Sequence, residues 1–183
     1  MTAMPSLWCI PLAKGQGKLA LFEIALFGIL AGLTFGAKFV MAGLPNIEPV
    51  SLMVMLFAVT FGRKGIFPVY VYVVLEILVF GIHIWNIYYL YIWLILFIAA
   101  WLLRNMTSRV GWALVSGVFG LLFGALCGIV DIFIGGFAYA AAKWVSGIPY
   151  DIVHCVANFV IALVLFQPLR KLLDKLYTQL KKA

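Results

Sequence analysis

The run from Val50 to Gly62 is almost wholly apolar and stops abruptly at both ends. Arg63 and Lys64 follow it. The stretch Gly43–Val50, Gly-Leu-Pro-Asn-Ile-Glu-Pro-Val, precedes it with two prolines, an Asn and a carboxylate. As a helix the run is about 20 Å long at ~1.5 Å per residue, against the ~30 Å hydrocarbon core of a bilayer. With Asn46 as N-cap and Pro49 in the first turn, where a missing N–H costs little, the helix is expected to start near Ile47. It is still short, so the Pro-Asn-Ile-Glu-Pro turn is expected to dip towards membrane depth. Irregular backbone survives there only when buried in protein or lining a polar cavity. The plain alternative is an exposed turn with Arg63 snorkelling to the interface.

Lipid is the relevant solvent because of the composition. Of 183 residues, 66% are hydrophobic and 10% charged, and the mean hydropathy is +1.16. A water-soluble domain cannot hide that much apolar surface. No linker divides the chain, so residues 1–183 read as a single integral membrane domain. Cys9, Cys127 and Cys155 are odd in number and far apart, which gives neither a zinc pattern nor a disulfide framework and leaves them as small apolar fillers. Met1–Leu12 lacks a basic n-region and reads as no cleavable signal peptide.

Apolar segments can be drawn over 19–42, 49–62, 65–82, 88–103, 110–137 and 152–166. The expected fold class is therefore all-α, an integral membrane bundle of six transmembrane helices. With an even number of crossings both termini lie on one side. That side collects all 13 basic residues except Lys38 and Lys143, so N- and C-termini are expected to be cytoplasmic. Residues 1–18 then form a cytoplasmic N-terminal segment. Residues 167–183, with Leu169, Leu172, Leu173, Leu176 and Leu180 on one side, form a basic amphipathic cytoplasmic tail on the membrane surface or a partner. Topology accounts for the net charge of +7, and no nucleic-acid partner is implied.

Two segments carry glycines four residues apart. Gly28, Gly32 and Gly36 lie on one face of the first helix, Gly120, Gly124 and Gly128 on one face of the fifth. Small residues admit close helix approach. The fifth stripe is expected to pack within the chain, the first to dock a partner.

Polar groups fall on the outer side of this topology: Lys38, Asn46, Glu48, His83, Asn86, Asp131, Lys143, Asp151, His154 and Asn158, with Glu76 nearer mid-depth. Ionisable groups at membrane depth usually face a bundle interior or a wet cavity, so a pocket opening outward is expected. Lys143 and Asp151 are expected merely to mark helix ends. Asp151, His154 and Asn158, three and four apart, form one helical stripe that serves helix pairing as readily as ligand contact. Asp151 also suits a helix start, where a carboxylate meets the positive dipole end. The run His83-Ile-Trp-Asn-Ile-Tyr-Tyr-Leu-Tyr-Ile-Trp, with Trp85 near its start, fits an interfacial aromatic belt or a stacking surface for a planar ligand. The candidate ligand-binding residues are thus Asn46, Glu48, Glu76, His83, Trp85, Asn86, Asp131, His154 and Asn158.

No catalytic or metal-ligating residues are indicated. An Asp/His pair without a nucleophile is no hydrolase, no H-E-x-x-H spacing exists, and Gly15-Gln16-Gly17-Lys18 lacks the spacing of a phosphate loop. An integral-membrane transferase using Asp131, Asp151 and His154 remains open as a class, although its groups would face away from a cytoplasmic donor. A self-sufficient carrier or channel also remains open, but the two matching halves common in carriers are not visible.

Short apolar segments, a small-residue first helix, the Leu44–Val50 loop and the Gly147–Asn158 stretch together resemble the substrate-binding S-component of an energy-coupling factor (ECF) vitamin transporter. The resemblance covers nearly the whole chain. It implies high-affinity capture of a vitamin or related micronutrient outside a bacterial cytoplasmic membrane. Energy would come from separate partner chains, a transmembrane scaffold (T-component) and two ATPases. This chain would bind no cofactor and leave ATP to its partners. The family's Ala-x-x-x-Ala docking face would correspond to Gly28, Gly32 and Gly36, glycine standing where the family has alanine. The Pro-Asn-Ile-Glu-Pro loop most resembles the cobalamin-type members, while pantothenate, pyridoxine, queuosine-precursor and folate relatives share the scaffold.

Overall fold

The computed structural model describes residues 16–44 and 46–182, with side chains from residue 21 onward. The expectations placed on segment 1–15, including Cys9 and Lys14, on the Lys18 side chain and on Pro45 lie outside the described residues. Every regular element within them is helical. The helices are α1 (Gln16–Val40), α2 (Val50–Phe61), α3 (Ile66–Phe80), α4 (Ile84–Leu102) and α5 (Arg109–Lys182), with a 3-10 turn Gly62–Gly65 between α2 and α3. Four helical stretches are long and apolar enough to cross a membrane: Leu21–Val40, Val50–Phe80, Ile84–Leu102 and Arg109–Lys182. The chain is an all-helical membrane protein.

The short second helix is the centre of the packing. Its sequence is apolar on every side, which is the pattern of a helix with no solvent face. Val50 through Ala58 and Phe61 are all buried, and α2 touches α1, α3, α4 and α5. The turn into α3 follows its surface so closely that a Cβ on Gly65 would collide with the Phe57 carbonyl.

Helix α5 is two helices joined at Gly136, whose φ of 80° and ψ of 175° only glycine adopts without strain. The chain reverses there. The arm before it pairs with the arm after it through Lys143 on Asp131, Gly124 against Asp151 and Arg109 against the Leu163 carbonyl. At Gly120 a Cβ would sit 2.8 Å from the His154 carbonyl carbon, so this glycine stripe packs within the chain. Gly28, Gly32 and Gly36 have no neighbour within 4 Å of the Cβ position.

Several local expectations need correction. Helix α2 begins at Val50, not Ile47, and Asn46 does not cap it; Asn46 has φ 60° and Pro49 precedes the helix without a side-chain cap. Helix α4 begins at Ile84 rather than Tyr88, because Asn86 reaches back to accept the His83 N–H at 2.7 Å. The second arm of α5 runs straight through Gly147 and Pro149, so Asp151 lies within a helix, not at its start. Proline removes one donor and crowds the carbonyl four residues back, and the helix continues through Pro149 all the same. The segment after Phe166 is no separate surface helix: it continues α5 to Lys182 and buries Leu173 and Tyr177 in the chain's own core.

The bundle has two chemically distinct ends. At one, Lys64 pairs with Glu23 at 2.6 Å and the Tyr177 hydroxyl donates to the same carboxylate at 2.7 Å. Tyr177 also meets Phe61 edge-on at 4.9 Å. The beginning of α1, the α2–α3 turn and the end of α5 are thereby tied together. The other end carries the site.

Candidate functional site

Three connections converge at this end: the α1–α2 loop, the start of α4, and the two arms of α5 on either side of Gly136. Lys38, in the last turn of α1, reaches across to α3. Its Nζ donates to Glu76 Oε2 at 2.9 Å and to the Tyr89 hydroxyl at 3.0 Å, and Glu48 from the loop lies 4.0 Å away. The ammonium also sits over the Tyr89 ring, 4.8 Å from its centroid. A second cluster repeats the arrangement. Lys143 donates to Asp131 Oδ1 at 2.7 Å and to the Tyr88 hydroxyl at 3.0 Å, while Tyr88 donates to the same Asp131 oxygen at 2.5 Å. Lys143 lies 5.3 Å from the Tyr88 ring centroid. Tyr88 and Tyr89 are adjacent in α4, so one turn of helix offers a phenol to each cluster.

A cavity lies between the clusters and has two lobes. The first, about 380 Å³, is lined by Asn46, Trp85, Tyr88, Phe123, Gly124, Cys127, Asp131, Lys143, Trp144, Gly147, Tyr150 and Asp151. The second, about 360 Å³, is lined by Lys38, Asn46, Glu48, Glu76, Phe80, His83, Trp85, Tyr89, Phe123 and His154. Asn46, Trp85 and Phe123 belong to both, which makes the lobes neighbours. Asn46 ties the α1–α2 loop to the second arm of α5 by donating to the Tyr150 carbonyl at 3.1 Å. Its positive φ points the loop at the second arm of α5. The irregular segment before α2 is thus folded onto protein and lines a polar cavity, the setting irregular backbone requires in an apolar medium.

The walls contain polar atoms without partners among the described residues. His154 Nε2 is buried and unpaired, and Glu76 Oε1 and Asp151 Oδ2 are buried with only a loosely placed neutral donor each, the Tyr72 hydroxyl and the Trp144 indole. Phe123 packs edge-on against the His154 ring at 5.1 Å. Asp151 is held in place by the Gly124 N–H, which donates to Oδ1 at 3.1 Å, and only glycine at 124 leaves room for it. An unpaired buried polar atom costs about 1–3 kcal/mol, so these incompletely satisfied acceptors around one cavity make a surface suited to receive hydrogen bonds from a ligand.

The sequence-derived residues divide cleanly. Asn46, Glu48, Glu76, His83, Trp85, Asp131 and His154 line the cavity. Asn86 and Asn158 line neither lobe. Asn86 caps α4, and Asn158 bridges helices by donating to Ser51 Oγ at 3.1 Å and the Ser116 carbonyl at 3.3 Å. Lys143 and Asp151, expected as helix-end markers, are part of the lining. Among the residues that pattern reading passed over are Tyr88, Tyr89, Phe123, Trp144 and Tyr150. The tyrosines of α4 carried a signal in their density, but aromatic belts give the same one. Among the described residues no group of three His, Cys, Asp or Glu side chains is placed to hold a metal ion. Cys127 and Cys155 are free thiols, Cys127 buried in the first lobe's wall.

Fold and site together define an all-helical membrane protein with an acidic, aromatic-walled cavity at one end of its bundle. No family model, curated protein or solved structure matches the chain.

Proposed function

We propose that this chain is the substrate-binding S-component of an ECF-type transporter, capturing a vitamin or related micronutrient outside a bacterial cytoplasmic membrane. The observation that carries the reading is the two-lobed cavity, with unpaired buried groups in its walls, at one end of a bundle whose first helix leaves a glycine face uncovered. A capture subunit needs both features, one for the ligand and one for the chain that supplies energy.

The topology that accompanies this reading has six crossings: α1, α2, α3, α4 and the two arms of α5. The reversal at Gly136 and the glycine turn at Gly62–Gly65 support it. So does the clustering of Lys64, Arg63 and Lys181 around the Glu23 end, since basic residues favour the cytoplasmic side, and both termini are proposed to lie there. The cavity then faces outward. Gly28, Gly32 and Gly36 are the proposed contact for a transmembrane scaffold, which in turn carries two ATPases; ATP is bound by those partners. Cobalamin is the substrate the loop sequence favours. Lobes of about 380 and 360 Å³ are instead matched to considerably smaller vitamins, so both sizes belong in a binding screen.

Affinity purification in mild detergent from the native host tests the assignment. Recovery of a membrane scaffold with two ATPases, and ATP-dependent uptake by the reconstituted complex, are the expected results. Solute uptake by the purified chain alone in liposomes would overturn the assignment in favour of a self-sufficient carrier.

A further inference from the structure

The charges around the cavity do not balance. Glu48, Glu76, Asp131 and Asp151 line it against only two ammonium groups, Lys38 and Lys143. Both lysines are already committed: Lys38 to Glu76 and Tyr89, Lys143 to Asp131 and Tyr88. Neither is left over for an anionic ligand. What remains is carboxylate charge met by neutral donors alone at Asp151, from the Gly124 N–H and the Trp144 indole, and a Glu76 shared between Lys38 and the Tyr72 hydroxyl, on residues only 6% and 3% exposed, with His154 Nε2 unpaired in the wall of the second lobe. In a medium of low dielectric, uncompensated carboxylates are costly and call for a positive partner.

The walls also show how such a partner would be held. Each native ammonium is gripped by a carboxylate and a tyrosine hydroxyl, Lys38 by Glu76 and Tyr89, Lys143 by Asp131 and Tyr88. A desolvated cation over an aromatic face gains further attraction beyond its ion pair. Trp85, shared by both lobes, and Trp144 and Tyr150 beside Asp151 offer aromatic surface next to carboxylates with no lysine of their own.

We propose that the cavity selects a flat heteroaromatic ligand bearing a protonated amine or ring cation, and discriminates against the corresponding carboxylate or phosphate. Its cationic group meets Glu76 or Asp151, and its ring stacks on Trp85. The inference rests on reading the cavity as the ligand site of the proposed capture subunit, and it narrows the chemistry of that ligand.

The test uses the purified full chain in detergent and probe pairs that differ in charge on one ring. Pyridoxamine and 4-pyridoxate are one such pair, tryptamine and indole-3-acetate a second, and thiamine serves as a ring cation. Calorimetry and thermal shift are the readouts. At least one cationic probe is expected to bind tenfold or more tightly than its carboxylate counterpart. Glu76→Gln and Asp151→Asn keep the shape and remove the charge. Each is expected to weaken that probe, and the group it contacts to do so by about 10- to 100-fold, the range for a hydrogen bond to a charged group. Two variants are needed because Glu76 also holds Lys38, whereas Asp151 makes no ion pair. Equal or tighter binding of the carboxylate members overturns the proposal, as does absence of binding of every cationic probe at millimolar concentration. So does unchanged affinity in both variants. Co-purification of ATPases is scored separately: an anionic vitamin bound by a chain that recruits them would sink the charge selectivity and leave the transporter reading standing. Cation binding by a chain without partners would do the reverse.

Discussion

Replacing Lys38 by Met removes one charge from a cluster that contains one ammonium and two carboxylates. The stem keeps most of its apolar packing, because methionine follows the same path as the lysine methylenes. Glu76 then loses its partner at 2.9 Å while its side chain remains 4% exposed, and Glu48 is left facing it with nothing between. Breaking a buried pair by removing one member costs about 3–5 kcal/mol, chiefly the desolvation of the stranded charge. The lysine side chain is itself 20% exposed, which lets water reach the site and places the expected loss near 3 kcal/mol. At about 2–4 °C per kcal/mol for a domain of this size, the thermal midpoint in detergent should fall by roughly 6–12 °C. Glu76→Gln alone should cost less, because Lys38 keeps Glu48 nearby and some solvent access. Combining the two substitutions should recover part of the loss, since Glu76 is then no longer a stranded charge and only the more exposed Glu48 lacks its ammonium. Differential scanning fluorimetry of wild type, both single variants and the double variant closes the cycle. A Lys38→Met protein as stable as wild type, or a double variant no better than Lys38→Met, would refute the claim that a desolvated Glu76 carboxylate depends on Lys38.

The two glycine stripes should behave oppositely. Gly32→Leu enters open space and should leave the thermal midpoint unchanged while abolishing recovery of the scaffold; Gly120→Leu must push into the His154 backbone and should lower folded yield outright. In a background without native cysteines, Cys placed at Lys64, Arg109 or Lys182 should react with an impermeant maleimide only after the cells are opened, and labelling of any of them in intact cells would reverse the proposed orientation.

Membrane residence and helical class follow from the sequence alone, because an apolar run cannot be hydrated and its backbone must bond within itself. The brevity of the second apolar run was also visible. Its consequence, a central helix shielded on all sides, required knowing which helices surround it. The polar residues at one end could be collected from topology, and Asn46, Glu48, Glu76, His83, Trp85, Asp131 and His154 do share a cavity. What pattern reading could not do was separate them from Asn86 and Asn158. An asparagine that caps a helix and one that bridges two helices have the same sequence signature as one that meets a ligand. Gly147 and Pro149 looked like a break, yet the helix runs through them despite the hydrogen bond that a proline inside a helix removes. Lys143 likewise looked like a helix end. Its pairing with Asp131 depends on the reversal at Gly136, which brings residues 12 apart in sequence to 2.7 Å. Local chemistry is written residue by residue and can be read in one dimension. Which charge meets which, and which carboxylate is left without a partner, depends on contacts between segments as distant as Lys38 and Glu76, and only the packed bundle decides them.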